Sequence, residues 1–379
     1  WKSDGSDGGT IMVKDIYAGS MGSDANEFVN ISGLLFFRAQ DGPNGMELWK
    51  SDGTVSGTNI VKDINPGAGN SNPSEFTNIN GTVYFSAYTV NDGVELWRSN
   101  GTAASTVLVK NISPGFLGSD VSNLTNVNGT LFFKARDGGS NFELWKSDGT
   151  ETGTVLVKDL YAGNGGGAPA YLTNVNGFLF FSGKSGPNGR ELWRSDGSAA
   201  GTVLVKDIYP GIADGTPSNL ININGTLYFT ATDGDNGIEL WKSDGTAAGT
   251  VMIKDINPGS DDSAPGNLTN VNGVLYFTAT DGSNGIELWK SDGTAAGTVM
   301  VKDINPGIDD SSPIYLINVN NTLYFDAKDA THGYELWKSN GTAAGTVLIK
   351  EIFPGNSTDI APYNFAVVGG NLLFNANDG

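Results

Sequence analysis

From Asn267 to Ile304 the apolar and polar residues fall into four short stretches of strand character, each closed by residues that turn the chain. The first is Asn267 to Val271, and the Asn272-Gly273 pair after it suits the positive φ angles of a type I′ hairpin. Val274 to Thr280 follows, rich in the aromatic and branched side chains that favour a pleated, buried surface. Asp281-Gly282-Ser283-Asn284-Gly285 turns the chain into Ile286 to Ser291, and Asp292-Gly293-Thr294 leads through a short connection to Thr298 to Ile304. Asn305-Pro306-Gly307 then ends the set, because proline cannot donate to a ladder and glycine permits the bend. These stretches, strands A to D, predict one four-stranded antiparallel propeller blade.

The same pattern recurs along the whole chain. Tryptophan stands at Trp1, Trp49, Trp97, Trp145, Trp193, Trp241, Trp289 and Trp337, a constant spacing of 48 residues. Periods of this length mark propellers, solenoids or arrays. Residues 363 to 378 read as strands A and B of a copy, and Trp1 to Ile16 as the end of C followed by D, so each end carries the half that the other lacks. The expectation is an all-β, closed eight-bladed β-propeller forming one domain over 1–379, with residues 356–379 and 1–18 completing the last blade and removing its free edges. An open solenoid is the alternative, but it would want polar capping repeats.

Composition narrows the chemistry. The 54 glycines and 14 prolines suit a chain that turns every few residues. There is no cysteine, which excludes disulfides and thiolate metal sites, and the single histidine, His332, leaves little room for zinc. No apolar run approaches the roughly eighteen residues of a membrane span, and no basic-then-apolar leader precedes Trp1. The chain begins inside a repeat, which suggests a segment of a longer precursor.

The phrase Glu-Leu-Trp-Lys-Ser-Asp-Gly-Thr is complete at Glu47 to Thr54, Glu143 to Thr150, Glu239 to Thr246 and Glu287 to Thr294. Asn100 and Asn340 replace its aspartate, Ser198 replaces its threonine, and Trp1 lacks the preceding Glu-Leu. These residues resemble the ELWxxDGT repeat family of secreted or surface proteins of bacteria, and the order of strands is similar to that of TolB-type propellers. The resemblance implies an extracellular or cell-surface location. It assigns no reaction and no catalytic residue.

The net charge is −19. The charges repeated in every copy, a glutamate before Leu-Trp, a base after Trp, the aspartate of Asp-Gly-Thr and a Lys-Asp pair in strand D, come close to balancing. Most of the negative excess therefore lies in the loops joining B to C and D to A, which share one end of an up-and-down meander. Asp24, Glu27, Asp41, Glu75, Asp120, Asp137, Asp214, Asp233 and Asp359 belong to that set. Such a face repels nucleic acid and anionic lipid and attracts hard cations or a basic protein. Calcium takes six to eight oxygen ligands, and Asp261, Asp262 and Asp281, or Asp309, Asp310 and Asp329, could supply carboxylates from neighbouring loops. The competing expectation is solvated acid that keeps the chain soluble.

The tryptophans could stack on sugar rings, but identical placement in every strand C points to packing between blades. The repeated glutamate, the Lys-Asp pair and the strand C base read as cross-strand ion pairs, since a reaction centre needs one asymmetric constellation rather than eight equal ones. His332 is unique and so the most plausible single functional side chain, with a solvated loop histidine as its plain alternative. Asn80, Asn128, Asn224 and Asn356 open Asn-x-Thr or Asn-x-Ser triplets, which turn chemistry accounts for at the first three. The functional expectation is a non-catalytic surface propeller for adhesion or recognition of a protein or polysaccharide, possible self-association included. A structural unit of a larger surface assembly is the first alternative, and a glycan hydrolase or lyase the second.

Overall fold

The computed structural model describes residues 1–139, 141–163, 165–352 and 362–377. Asn356, Asp359 and the part of the expected closing blade over 356–361 lie outside the described residues. The regular structure is all β: seven four-stranded antiparallel sheets, each ordered A-B-C-D, and one two-stranded sheet. In the first sheet the strands are Asn26–Ile31, Leu34–Gln40, Met46–Ser51 and Asn59–Lys62. In the sixth they are Gly266–Val271, Val274–Thr280, Ile286–Ser291 and Val299–Lys302, so the boundaries read from sequence hold within a residue or two except for a shorter strand D. Short, edge-placed strands of this kind blunt the free hydrogen-bonding row of a sheet.

The turns follow their residue types. Asn272 and Gly273 both have positive φ, 52° and 86°, as a type I′ turn requires. The side chain of Asn270 accepts a hydrogen bond from the Gly273 amide at 2.8 Å, and the equivalent asparagine does so in the other sheets. Asn80, Asn128 and Asn224 sit in the same left-handed turn position, which is why asparagine recurs there. At the start of strand A the register shifts, between Gly266 and Thr269 in the sixth sheet. The bulge places a non-glycine residue in the left-handed region in every copy, including Glu27 (56°), Glu75 (63°), Tyr171 (56°) and Tyr315 (55°).

The chain divides into two compact units, one of Trp1–Leu179, Gly183–Gly186 and Ser195–Thr202, the other of Phe180–Ser182, Pro187–Arg194 and Val203–Gly379. Within the first, strand A of one sheet lies beside strand A of the next, from Asn26–Ile31 through Ser74–Ile79 and Ser122–Val127 to Ala170–Val175. Within the second the same holds from Ser218–Ile223 to Tyr363–Val368. The core lies between consecutive sheets. Tyr84, Leu96 and Val109 of one sheet pack with Leu131, Phe133 and Trp145 of the next, and Tyr276, Leu288 and Val301 pack with Leu323, Phe325 and Trp337. Both faces of strand B are therefore covered, which explains its unbroken apolar run.

Seven tryptophans are 4–7% exposed, and Trp97, Trp145, Trp289 and Trp337 pack against the preceding sheet, but Trp1 is 80% exposed. Its counterpart Trp49 pairs with Phe37 on strand B, whereas the residue after Trp1, Lys2, forms only an isolated bridge to Ile11. The last copy forms a two-stranded sheet, Tyr363–Val368 with Asn371–Asn375, whose side chains are largely exposed. The eighth four-stranded sheet of the sequence-based expectation is thus two strands here, and Trp1 is not a packing residue in this structure.

Phe85 is fully buried between two sheets and Val55 is 65% exposed in a turn. Phe85→Ala should cost about 3–5 kcal/mol in denaturant unfolding, and Val55→Ala less than about 0.5 kcal/mol. Equal effects at the two positions would contradict the packing described.

Candidate functional site

The repeated charges are placed first by the fold. Glu47, which precedes Leu48-Trp49, is fully buried and turned toward the loop between strands D and A. Its carboxylate accepts from the Ile64 amide at 2.9 Å, the Asn65 amide at 3.4 Å, and the Ser71 amide and hydroxyl at 3.0 and 2.6 Å. Glu287 repeats this with Ile304, Asn305 and Ser311, and Glu239 with Ile256, Asn257 and Ser263. One acceptor group thus satisfies the donors of a loop that has no ladder of its own. Burial pushes Glu47, Glu191 and Glu287 up to about 7 against the pull of these donors, and raises Glu95, Glu143 and Glu239 as well.

The bases reach into the next sheet. Lys62 donates to the Thr106 carbonyl at 2.8 Å and lies 5.7 Å from the Trp97 ring, while Lys302 donates to Thr346 at 3.0 Å and lies 5.5 Å from Trp337. The base after tryptophan behaves alike, Lys50 donating to Gly101 at 2.7 Å and Lys290 to Gly341 at 2.8 Å. The cross-strand ion pairs expected from the sequence are therefore corrected: the acids hold backbone amides and the bases hold backbone carbonyls. Peptide groups are fixed in place by the strands, so they offer each long side chain an ordered partner.

The Asp-Gly-Thr turn is equally self-contained. Asp52 accepts from the Thr54 amide at 2.9 Å and its hydroxyl at 2.7 Å, and Thr54 in turn accepts from the Gly57 amide at 2.9 Å. A Cβ on Gly57 would lie 1.9 Å from the Asp52 carboxylate. In the copy where that glycine is Ser105, the aspartate is Asn100, and the serine hydroxyl bonds to its amide oxygen.

The aspartates proposed as calcium ligands are engaged in closing loops. Asp262 accepts from the Ile238 amide and Asp310 from the Ile286 amide, both at 2.7 Å, a task that Asn70 performs for Met46 without charge. Asp281 accepts from the amides of Ser283 and Asn284 and from the Asn284 side chain. Asp329 accepts from the amides of Thr331 and His332, each at 2.8 Å, and lies 2.9 Å from His332 Nδ1. That bond raises the imidazole above its usual value and ties His332 to Asp329 within the loop. Asp261 and Asp309 are exposed. Among the described residues no three acids or histidines come together as a metal would need.

Two places break the repeat. A pocket in the first unit is lined by Asp137, Asn141, Glu143, Trp145, Asp159, Gly163 and Gly165. There Gly167, like Gly215 beside Glu191, replaces the serine whose hydroxyl bonds the glutamate at Ser71, Ser119, Ser263 and Ser311, leaving Glu143 the amides of Leu160 and Gly167. Carboxylates on several sides suit this pocket to a positively charged group.

The second is Asp326, which the sequence reading passed over. It is fully buried, and neither carboxylate oxygen has a hydrogen-bond partner. Other copies settle this cross-strand position with paired groups, Ser74 with Ser86 at 2.8 Å, Ser218 with Thr230 at 2.7 Å and Arg38 with Asn26 at 2.5 Å. Opposite Asp326 stands Ile314. Burial, with the charge of Glu335, pushes the Asp326 carboxyl up to about 8. Aligning the copies shows the signal: this position is otherwise Arg, Ser, Lys or Thr in the four-stranded sheets.

No family model and no curated protein matches this chain. Among solved structures it is similar to a puromycin hydrolase, at 11% identity and a TM-score of 0.48 over 95% of this chain and 58% of that one. It is also similar to a Mycobacterium tuberculosis puromycin-hydrolyzing peptidase, at 8% and 0.49 over 92% of this chain and 57% of that one. A third is the β-propeller domain of the Trilobed protease from Pyrococcus furiosus, described as having an open velcro topology, at 11% and 0.42 over 84% of this chain and 95% of that one. The chain spans 58% of the first of these. Likenesses this distant transfer no residue role. The expectation of a cell-surface adhesion propeller, with its structural and glycan-degrading alternatives, is nonetheless corrected: these similar structures are a hydrolase, a peptidase and a protease's propeller domain.

A carboxyl raised in the folded state stabilises fully below its unfolded value and loses that contribution as the pH rises through the folded value. Melting temperature should therefore fall between pH 5 and pH 8 as Glu47, Glu191, Glu287 and their equivalents ionise. Glu287→Gln should cost about 1–3 kcal/mol at pH 5, because the Ile304 amide and Ser311 hydroxyl lose an acceptor, and should flatten the pH slope. A melt that rises over this range would contradict the assignment. Asp326→Thr, which restores a residue found in other sheets, should raise the melting temperature more at pH 9 than at pH 6. An equal gain at both would remove the burial of a titrating carboxyl as the cause.

Proposed function

We propose that this chain is the propeller part of a hydrolase, a scaffold that seats a catalytic unit lying outside residues 1–379 and supplies no reacting group itself. The observation that supports this most is that the ionisable groups repeated in every copy are spent on the framework. Glutamates hold loop amides, lysines hold carbonyls of the next sheet, and aspartates close turns. The loops at the D-to-A and B-to-C end vary most from copy to copy, and varied loops on a rigid scaffold are where engagement with another unit is normally placed. The class of that unit follows the kind of protein in which the similar structures occur, peptidases and hydrolases.

The seven equal intervals between the eight tryptophans support an eight-bladed, closed form of the propeller as part of this reading. The ELWxxDGT resemblance and the surface location it implies belong to the proposal on the same footing.

Peptide amides, proline-containing ones included, and an aminoacyl nucleoside test the reading directly. Residues 1–379 alone should turn over none of them, whereas the natural polypeptide containing them should hydrolyse at least one. Turnover by residues 1–379 alone would overturn the scaffold assignment, and an inert natural polypeptide would overturn the hydrolase.

A further inference from the structure

Directly after the Pro-Gly or Ala-Gly of each D-to-A loop come two residues at its tip. In alternate copies these include a large apolar side chain: Met21, then Phe116 with Leu117, then Ile212, then Ile308. The four intervening copies carry only Ala, Gly, Asn, Ser or Asp at the same two positions. The apolar tips are far out in solvent, Phe116 at 73%, Ile212 at 83% and Ile308 at 82% exposed. A lone exposed apolar residue is ordinary. A regular recurrence every 96 residues, against a 48-residue fold repeat, is not a requirement of the fold, since the described intervening loops with Ala68-Gly69 and Ser260-Asp261 hold the same glutamate contacts without it.

The charge of these loops says what the tips meet. Between the end of strand D and the start of strand A every copy contains aspartate, and no copy contains lysine or arginine. Asp120 pairs with Arg136 of the adjoining loop at 2.5 Å, but the D-to-A loops themselves carry only acid. An apolar contact flanked by acid is completed by apolar side chains set among basic ones, whereas an anionic lipid surface or a second copy of this end is repelled.

We propose that each of these apolar D-to-A loop tips, Phe116 with Leu117 in one unit, and Ile212 and Ile308 in the other, is a docking point in its own right for a basic polypeptide segment carrying apolar side chains between its lysines and arginines. The inference shares with the preceding section the loop end as the engaged end, and does not require the partner to be hydrolytic. Each tip enters an apolar recess on the partner, and the flanking aspartates set its orientation.

The test titrates the full chain with a synthetic peptide alternating lysine and leucine and with a lysine–serine peptide of equal length and charge. The lysine–leucine peptide should bind at least tenfold more tightly. Replacing Phe116, Leu117, Ile212 and Ile308 by serine should abolish that preference without changing the melting temperature, while Val55→Ser, at the other end of a sheet, should leave it intact. Equal binding of the two peptides, a preference that survives the tip replacements, or one removed by Val55→Ser would each overturn the proposal. So would tip-dependent binding to phosphatidylcholine vesicles with no peptide preference, which would assign the tips to a lipid surface. Because turnover is measured separately, failure here leaves the hydrolase reading standing, and failure there leaves this one.

Discussion

The fold depends on a carboxylate placed where no carboxylate would sit by itself. The glutamate before Leu-Trp is taken out of water with its strand and survives there because the D-to-A loop turns its amides inward toward it. The dependence runs both ways. The loop has no strand partner for those amides, and without the glutamate they would be buried donors with no acceptor. Because strand D feeds the loop and the loop feeds the next strand A, this one contact fixes the step from each sheet to the following one.

The lysines complete the step from the other side. A strand D lysine reaching a turn carbonyl of the next sheet, with its stem near the next tryptophan, ties consecutive sheets through a peptide group that cannot swing away. A base paired with a mobile acid would have been screened by salt and weakened by side-chain freedom. The repeated acids and bases are thus spent on peptide groups, and the excess acidity is concentrated at the loop end.

Much of this was legible in the sequence. The Asn-Gly turns, the strand boundaries and the packing of seven tryptophans follow from local residue types repeated in phase. The partners of Glu47 and Lys62 were not, because they are backbone groups brought near by the fold, and no residue type marks a peptide amide as an acceptor's target. Trp1 shows the limit of reading by equivalence: it shares its position with Trp49 but has no paired strand B to cover it. Asp326 shows the reverse, since a break in an otherwise hydroxyl or basic position was visible and became meaningful only once the burial and the facing Ile314 were known.

The central claim, that the glutamates hold the loops, is tested most directly by amide hydrogen exchange at Ile64, Ile208 and Ile304, which donate to Glu47, Glu191 and Glu287. The account expects protection comparable to that of strand B amides in the same sheets. Exchange as fast as that of exposed loop amides would mean that the carboxylates do not hold the loops, and the framework described here would be wrong at its foundation.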